Sequence, residues 1–224
     1  MLGPARCWPA TGVILADTGL EVRQLYSERD DRVLFADLCF TLNAGDVLQI
    51  AGPNGSGKTS LLRILAGLSS RYQGDILWHN HSLNQQRADY LQQLLYIGHG
   101  AGIKAGLSPL ENLRWSCALR GLQNNDNQIR EALLKVGLRG FEEQACYSLS
   151  AGQQRRVNLA RLFCIPAQLW ILDEPFTAID QRGVAEIEAW ISDFADGGGT
   201  VLLTTHHRLG ISRPLRVIEL GEGS

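Results

Sequence analysis

No hydrophobic run in this 224-residue sequence approaches the roughly 18 residues that a membrane-spanning helix needs. The apolar stretches over residues 12–16 and 169–172 are far too short. A secretory leader is not expected over residues 1–19 either, because Pro4 and Pro9 interrupt a short apolar segment. Cysteine is scarce and scattered: Cys7, Cys39, Cys117, Cys146 and Cys164 include no C-x-x-C pair. That argues against a disulfide frame or a zinc site and suits thiols in a reducing, cytosolic compartment. There is no long basic run and the net charge is −2, which speaks weakly against nucleic acid as the main partner. No internal repeat is evident. With 45% hydrophobic and 20% charged residues, what remains is ordinary globular composition, long enough for one substantial core.

The stretch around which the chain is organised is Gly52-Pro53-Asn54-Gly55-Ser56-Gly57-Lys58-Thr59, which fits G-x-x-x-x-G-K-[ST]. Its flanks fit as well. Residues 46–51 form a short apolar run behind the turn signal Asn43-Ala44-Gly45 and read as a buried strand. Leu61, Leu62, Ile64, Leu65 and Leu68 then recur at helical spacing, with Gly67 near a helix end. Strand, glycine loop and helix put a ring of amides and a helix N-terminus against anionic oxygens. Lys58 is expected on the β- and γ-phosphates of a nucleoside triphosphate, and the Thr59 hydroxyl on Mg²⁺. Ser60 extends the same cradle.

Along the chain, residues 1–19 read as a loosely ordered extension. Residues 20–25 and 34–42 alternate as strands, joined by a charged turn over 28–32. Residues 71–83 suggest a further strand pair, 85–93 a helix and 94–97 a strand. Glycine density at 98–102 marks a junction. From Ser108 to about Phe163 the signals are mostly helical, with starts at Ser108/Glu111 and Ser150/Gln153. Continuous apolar or β-branched runs at 169–172 and 200–205 read as central parallel strands. The expected class is α/β, with a mainly parallel sheet interrupted by a helical insert over about 99–165.

Two further segments carry chemistry. Leu169-Trp170-Ile171-Leu172-Asp173-Glu174 is an apolar strand ending in two carboxylates. Asp173 is expected at the Mg²⁺ beside the glycine loop. Glu174, one residue on, is placed to orient or deprotonate a water for in-line attack on the γ-phosphate. Leu149-Ser150-Ala151-Gly152-Gln153 is a second helix start that favours an anion. Since one phosphate cradle is already present, this one is useful if it faces the triphosphate of another copy.

These segments, with Ala178-Ile179-Asp180 and Thr204-Thr205-His206, occur in the order of the ATP-binding cassette (ABC) ATPases, which the chain resembles over roughly residues 20–220. Softer motifs are similar to the ATP-binding subunits of cytochrome c maturation (haem exporter) systems: residues 27–35, Ile97-Gly98-His99 with Gly102-Ile103-Lys104, Leu110-Glu111-Asn112-Leu113, and residues 175–180. The resemblance implies a P-loop, RecA-like ABC nucleotide-binding domain with an N-terminal antiparallel part. Its core would span about 20–97 and 166–220, and its helical subdomain about 99–165. It implies a head-to-tail dimer with two ATPs between subunits, in which Ser150, Gly152 and Gln153 of one chain meet the nucleotide held by Lys58 of the other. Asp180 would lie at the seam, and His206 would hydrogen-bond the γ-phosphate. Three positions depart from the common pattern: Ala151 stands where Gly is usual, Arg29 (with Tyr26 nearby) replaces the adenine-stacking aromatic, and His99 occupies the region of the usual bridging glutamine.

The implied partner is an integral membrane permease subunit (CcmB-like), with this chain peripheral on the cytoplasmic face of the inner membrane. Haem contact is not required of it: there is no C-x-x-C-H, and His79 and His81 read as surface. Two other readings of the same cassette are a soluble ATPase serving Fe–S cluster assembly and an ATP-gated structural clamp. The clamp usually needs a long coiled-coil insert, and only about 90 residues separate the glycine loop from Ser150.

Overall fold

Two sheets share the work of burying this chain's apolar residues. The computed structural model describes residues 19–221 except 101, 124 and 212. The expected N-terminal extension therefore lies outside the described residues, apart from Gly19. In order, the elements are β1 (Leu20–Arg29), β2 (Arg32–Leu42), β3 (Val47–Ala51), α1 (Lys58–Leu65), β4 (Gln73–Trp78), β5 (His81–Ser82), α2 (Arg87–Gln93) and β6 (Leu94–Ile97). There follow α3 (Pro109–Ala118), α4 (Asp126–Lys135), a 3₁₀ turn (Cys146–Ser148), α5 (Ala151–Leu159), α6 (Arg161–Cys164), β7 (Leu169–Asp173), α7 (Gln181–Asp196), β8 (Thr200–Thr204) and β9 (Leu215–Glu219).

The antiparallel sheet runs β2-β1-β4-β5 and the parallel sheet β6-β7-β8-β3-β9. Strands β3, β7 and β8 are mostly apolar because both of their faces are covered. Alternate residues go to different cores, as a period of two requires. Val47, Trp170, Leu172, Val201 and Leu203 pack with the helices α3–α7. Leu48, Ile50, Leu169, Ile171 and Leu202 pack with α1 and the antiparallel sheet. All three strands end at the same edge of the sheet, where open α/β folds bind ligands. The glycine loop follows β3, Glu174 follows β7, and Thr205-His206 follows β8.

The structure sharpens several expectations. The turn expected over 28–32 narrows to Asp30 and Asp31, both left-handed at φ 52° and 59°, and the charged residues around them lie within strands. Two such residues make the tight hairpin turn that matches strand twist. Leu68 is not on the buried face of α1. That helix ends at Leu65, Gly67 turns left-handed at φ 68°, and Leu68 is exposed. Strand β9, which pairs with β3, had no sequence reading at all. Cys117, Cys146 and Cys164 are buried.

Candidate functional site

The glycine loop owes its shape to three left-handed glycines. Gly52 sits at φ 134°, where a Cβ would lie 2.3 Å from the Leu220 carbonyl oxygen. Gly55 and Gly57 sit at φ 80° and 97°. Gly57 is the N-cap of α1, and no side chain caps that helix, so its first N–H groups are left for an anion. Lys58 curls over the loop, its Nζ donating to the carbonyls of Gly52 (2.7 Å) and Pro53 (2.9 Å).

Facing the loop, Asp173 is buried at the end of β7. Its Oδ1 accepts from the Thr204 hydroxyl at 2.8 Å and from the Thr59 hydroxyl at 3.4 Å, while its Oδ2 is buried without a hydrogen-bond partner. Glu174 adopts a left-handed backbone at φ 50°, a conformation that costs a non-glycine residue about 1–3 kcal/mol. It is held there in part by its own N–H, which donates to the Thr204 carbonyl (3.2 Å) and hydroxyl (3.1 Å). Its Oε2 accepts from the His206 N–H at 3.4 Å. Its Oε1 is buried and without a hydrogen-bond partner, with His206 Nε2 3.6 Å away. A buried carboxylate oxygen with no donor is costly, and each such atom calls for a proton, water or cation.

That chemistry bears on Mg²⁺. The Asp173 Oδ2 and the Thr59 hydroxyl are hard oxygen donors at one point of the cleft, so the residues fit the ion. Among the described residues no group of three or more His, Cys, Asp or Glu is placed to hold a metal ion by itself. The protein alone would supply few ligands, as is usual where phosphates and water complete a Mg²⁺ shell. Tyr96 lies close by, its hydroxyl pushed up to about 12 by burial and then by the Asp173 charge.

Lys58, Thr59, Asp173, Glu174, His99 and His206 line one cleft of about 460 Å³, together with Arg29 and Leu34. Tyr26 does not line it; its hydroxyl donates to Glu28 at 2.7 Å. Arg29 is exposed and ion-paired to Asp30 at 3.3 Å. Ser150, Gly152, Gln153 and Asp180 are outside this lining. At the start of α5, the Ser150 hydroxyl accepts from the Gln153 N–H (3.2 Å) and the Gln153 carbonyl oxygen Oε1 accepts from the Ser150 N–H (2.9 Å). Ala151 is a helical residue without positive φ, so its methyl group costs nothing there. Gly152 has no such freedom, because a Cβ would sit 2.6 Å from the Ala178 carbonyl oxygen. Asp180 caps α7 through the Gly183 N–H (3.3 Å) and pairs with Arg156 at 3.2 Å. That guanidinium holds its carboxyl below the usual carboxylate range.

Two residues that shape the site have no role assigned to them from the sequence. Thr204 aligns both acids; a hydroxyl at the end of β8, in register with Asp173, was the available signal. Arg155, buried on α5, donates to the carbonyls of Gly98 (2.7 Å), Gly100 (3.4 Å), Asp173 (3.1 Å), Glu174 (2.9 Å) and Pro175 (3.4 Å). Burial draws its pKa down, opposed by the charges of Asp173, Tyr96 and Glu174. Five carbonyls from two distant loops leave no pattern in sequence. His79 is at hydrogen-bond distance from Gln168 Oε1 (3.2 Å) and edge-on to Trp78.

A glycine loop on an uncapped helix start, facing a buried Asp-Glu strand end across a parallel sheet, is the site of a P-loop nucleotide-hydrolysing protein. The ABC transporter family matches residues 35–177. Relatives named "Cytochrome c biogenesis ATP-binding export protein CcmA" include one from Hahella chejuensis, 52% identical over 90% of this chain and 95% of its own. Another, from Pseudomonas fluorescens, is 53% identical over 90% and 96%. An ABC transporter ATP-binding protein from Pyrococcus furiosus superposes with a TM-score of 0.78 at 25% identity, covering 91% of this chain and 98% of that one. A dimeric ATP-binding cassette in a post-hydrolysis state with ADP and Pi gives a TM-score of 0.79 at 22% identity, over 90% and 94%. The chain belongs to the ABC transporter family and, within it, to the CcmA group of ATP-binding export proteins. It is an ABC-type ATPase.

Proposed function

We propose that this chain hydrolyses ATP as the energy-coupling subunit of a membrane complex for c-type cytochrome biogenesis. The observation that carries the catalytic part is the pair of buried, unpartnered carboxylate oxygens, Asp173 Oδ2 and Glu174 Oε1, facing the uncapped start of α1. The N–H groups of the glycine loop and Lys58 bind the β- and γ-phosphates, with the Lys58 ammonium leaving the Gly52 and Pro53 carbonyls for the phosphate oxygens. Thr59 and Asp173 would hold Mg²⁺, which when bound neutralises phosphate charge. Glu174 Oε1 takes a proton from the attacking water, and Glu174 is fixed for this by Thr204 and the His206 N–H. The His206 ring, beside Oε1, hydrogen-bonds the γ-phosphate. Arg29, which lines the cleft, and not Tyr26, meets the base, by stacking its flat guanidinium.

Residues 20–220 act as one ATPase domain, with a core of 20–97 and 166–220 and a helical part of 99–165. The exposed start of α5, outside its own chain's cleft, supports a head-to-tail dimer in which Ser150, Gly152 and Gln153 meet the partner's nucleotide. The post-hydrolysis cassette bound to ADP and Pi is itself dimeric. A groove of about 770 Å³ lined by Leu68, Leu91 and Leu119 runs to His99 and Asp173. It supports docking of an integral permease subunit, CcmB-like, at the cytoplasmic face of the inner membrane. No helix among the described residues is long and apolar enough to cross a membrane.

Glu174→Gln tests the catalytic reading. Losing a general base lowers turnover by roughly 10²–10⁴-fold, while equilibrium ATP binding stays at the wild-type level. Near-normal turnover in this variant would move the proton transfer elsewhere.

A further inference from the structure

Arg155 is a positive charge buried where no carboxylate pairs with it among the described residues; every partner of its guanidinium is a backbone carbonyl. Those carbonyls come from two places that matter to the site. Asp173, Glu174 and Pro175 form the turn that carries the acids, and Gly98 and Gly100 flank His99, which lines the nucleotide cleft. The Glu174 peptide is thus clamped from both sides. Thr204 takes its N–H, and Arg155 takes its carbonyl at 2.9 Å. A left-handed glutamate persists only where its surroundings over-determine it, and these two contacts are what over-determine it here.

The same arginine stands on α5, the helix that begins at Ser150. Its side chain and the helix start are therefore carried by one short helix, with Gly152 wedged against the Ala178 carbonyl on the same turn-bearing segment. A shift of the helix start moves the guanidinium against the carbonyls that hold Glu174 and His99.

We propose that Arg155 is the positioning residue of this ATPase: it sets the backbone of Glu174 and of the His99 loop, and through α5 it ties that setting to what the Ser150 helix start touches. The inference rests on the role given to Glu174 above. In a head-to-tail dimer, Ser150 meets the partner's nucleotide while Glu174 serves its own chain's. Arg155 then carries information from one nucleotide site to the other, and turnover rises cooperatively with ATP.

Arg155→Lys keeps the charge but loses the planar fork that reaches both loops. Arg155→Met removes the charge and keeps most of the volume. The full chain of each is purified, its folding checked by thermal melting, and ATP titrated for binding and for turnover. For Arg155→Lys, ATP affinity should stay within about threefold of wild type while kcat falls about ten- to a hundredfold, the scale of a small misplacement of a reacting group. The Hill coefficient should fall towards one. Arg155→Met should show the larger kcat loss, and if it does not fold, Arg155→Lys decides alone.

Adding Arg155→Lys to Glu174→Gln should cost little beyond the single Glu174→Gln loss, because the arginine acts through that glutamate. Fully additive losses, or wild-type kcat and cooperativity in a folded Arg155→Lys, overturn the inference while leaving the Glu174 reading intact. Normal turnover in Glu174→Gln itself overturns both.

Discussion

The chain has two helix starts suited to an anion, at Gly57 and at Ser150, and they are built in opposite ways. The first has no side-chain cap, a left-handed glycine as N-cap, a lysine folded over it and two buried acids opposite. The second is exposed and fully boxed, with Ser150 and Gln153 each taking the other's N–H. A boxed start can face water at no penalty, since its cap already satisfies part of the first turn. An uncapped start surrounded by unpartnered carboxylate oxygens is incomplete without its ligand. On the head-to-tail reading proposed above, the first start holds its own chain's nucleotide and the second meets the partner's.

The largest expected effect breaks the first member of this comparison. Lys58→Ala removes the side-chain cation that folds over the loop. Two charge-assisted hydrogen bonds to phosphate, at about 1.5–3 kcal/mol each, make the expected loss of ATP affinity at least about a hundredfold. Titration calorimetry reads this directly. Affinity equal to wild type would leave the loop without the phosphate role assigned to it.

Breaking the second member should leave ATP binding alone. On the head-to-tail reading, Ser150→Arg puts a bulky side chain where a partner's triphosphate would seat, while Ser150 lies outside its own chain's cleft. Monomer ATP affinity should survive, and ATP-driven dimerisation and turnover should both collapse. Mixing Ser150→Arg with Lys58→Ala chains then places both lesions in one composite site and none in the other, so partial activity returns. If Ser150 served its own chain's nucleotide, each site would carry one lesion and the mixture would stay as dead as its parents. ATP-dependent dimerisation of the mixture separates that outcome from a requirement that both sites fire together.

What was legible in the sequence follows the same division. The glycine loop could be read because φ of 134°, 80° and 97° at residues 52, 55 and 57 demands glycine, and a backbone demand leaves a spaced pattern. Asp173 and Glu174 could be read because a fully buried strand makes a terminal acid conspicuous. Strand β9 could not: it is a half-exposed edge strand of five residues, with no apolar run to announce it. Arg155 could not either, because an arginine on a helix is ordinarily a solvated side chain. Only the fold brings the carbonyls of residues 98, 100 and 173–175 around it. Ser150 could be read as a second anion-favouring helix start, whereas the role of Asp180 rests on family resemblance alone, and for Asp180 the structure adds a local alternative in its cap and its pairing with Arg156.

That alternative gives the smallest expected effect and the finest test of the comparison. Asn is as good an N-cap as Asp, so Asp180→Asn keeps the bond from the Gly183 N–H and removes only the charge that faces Arg156. Asp180 is exposed, and Arg156 keeps Glu186 at 3.0 Å, so the loss of melting temperature should be about 1–3 °C at neutral pH. The sign with pH follows from the carboxyl being held below its unfolded value. Its stabilising contribution is complete above the unfolded pKa of about 3.9 and disappears as pH falls through the lower folded value. The gap between wild type and Asp180→Asn should therefore be flat from about pH 7 to pH 5 and close below about pH 4. If Asp180 does no more than cap and pair within its own chain, turnover per folded chain will match wild type at pH 7. A fall in turnover and in ATP-driven dimerisation with this same small melting shift would instead place Asp180 among the groups that meet the second copy, beside Ser150 and apart from the nucleotide cleft.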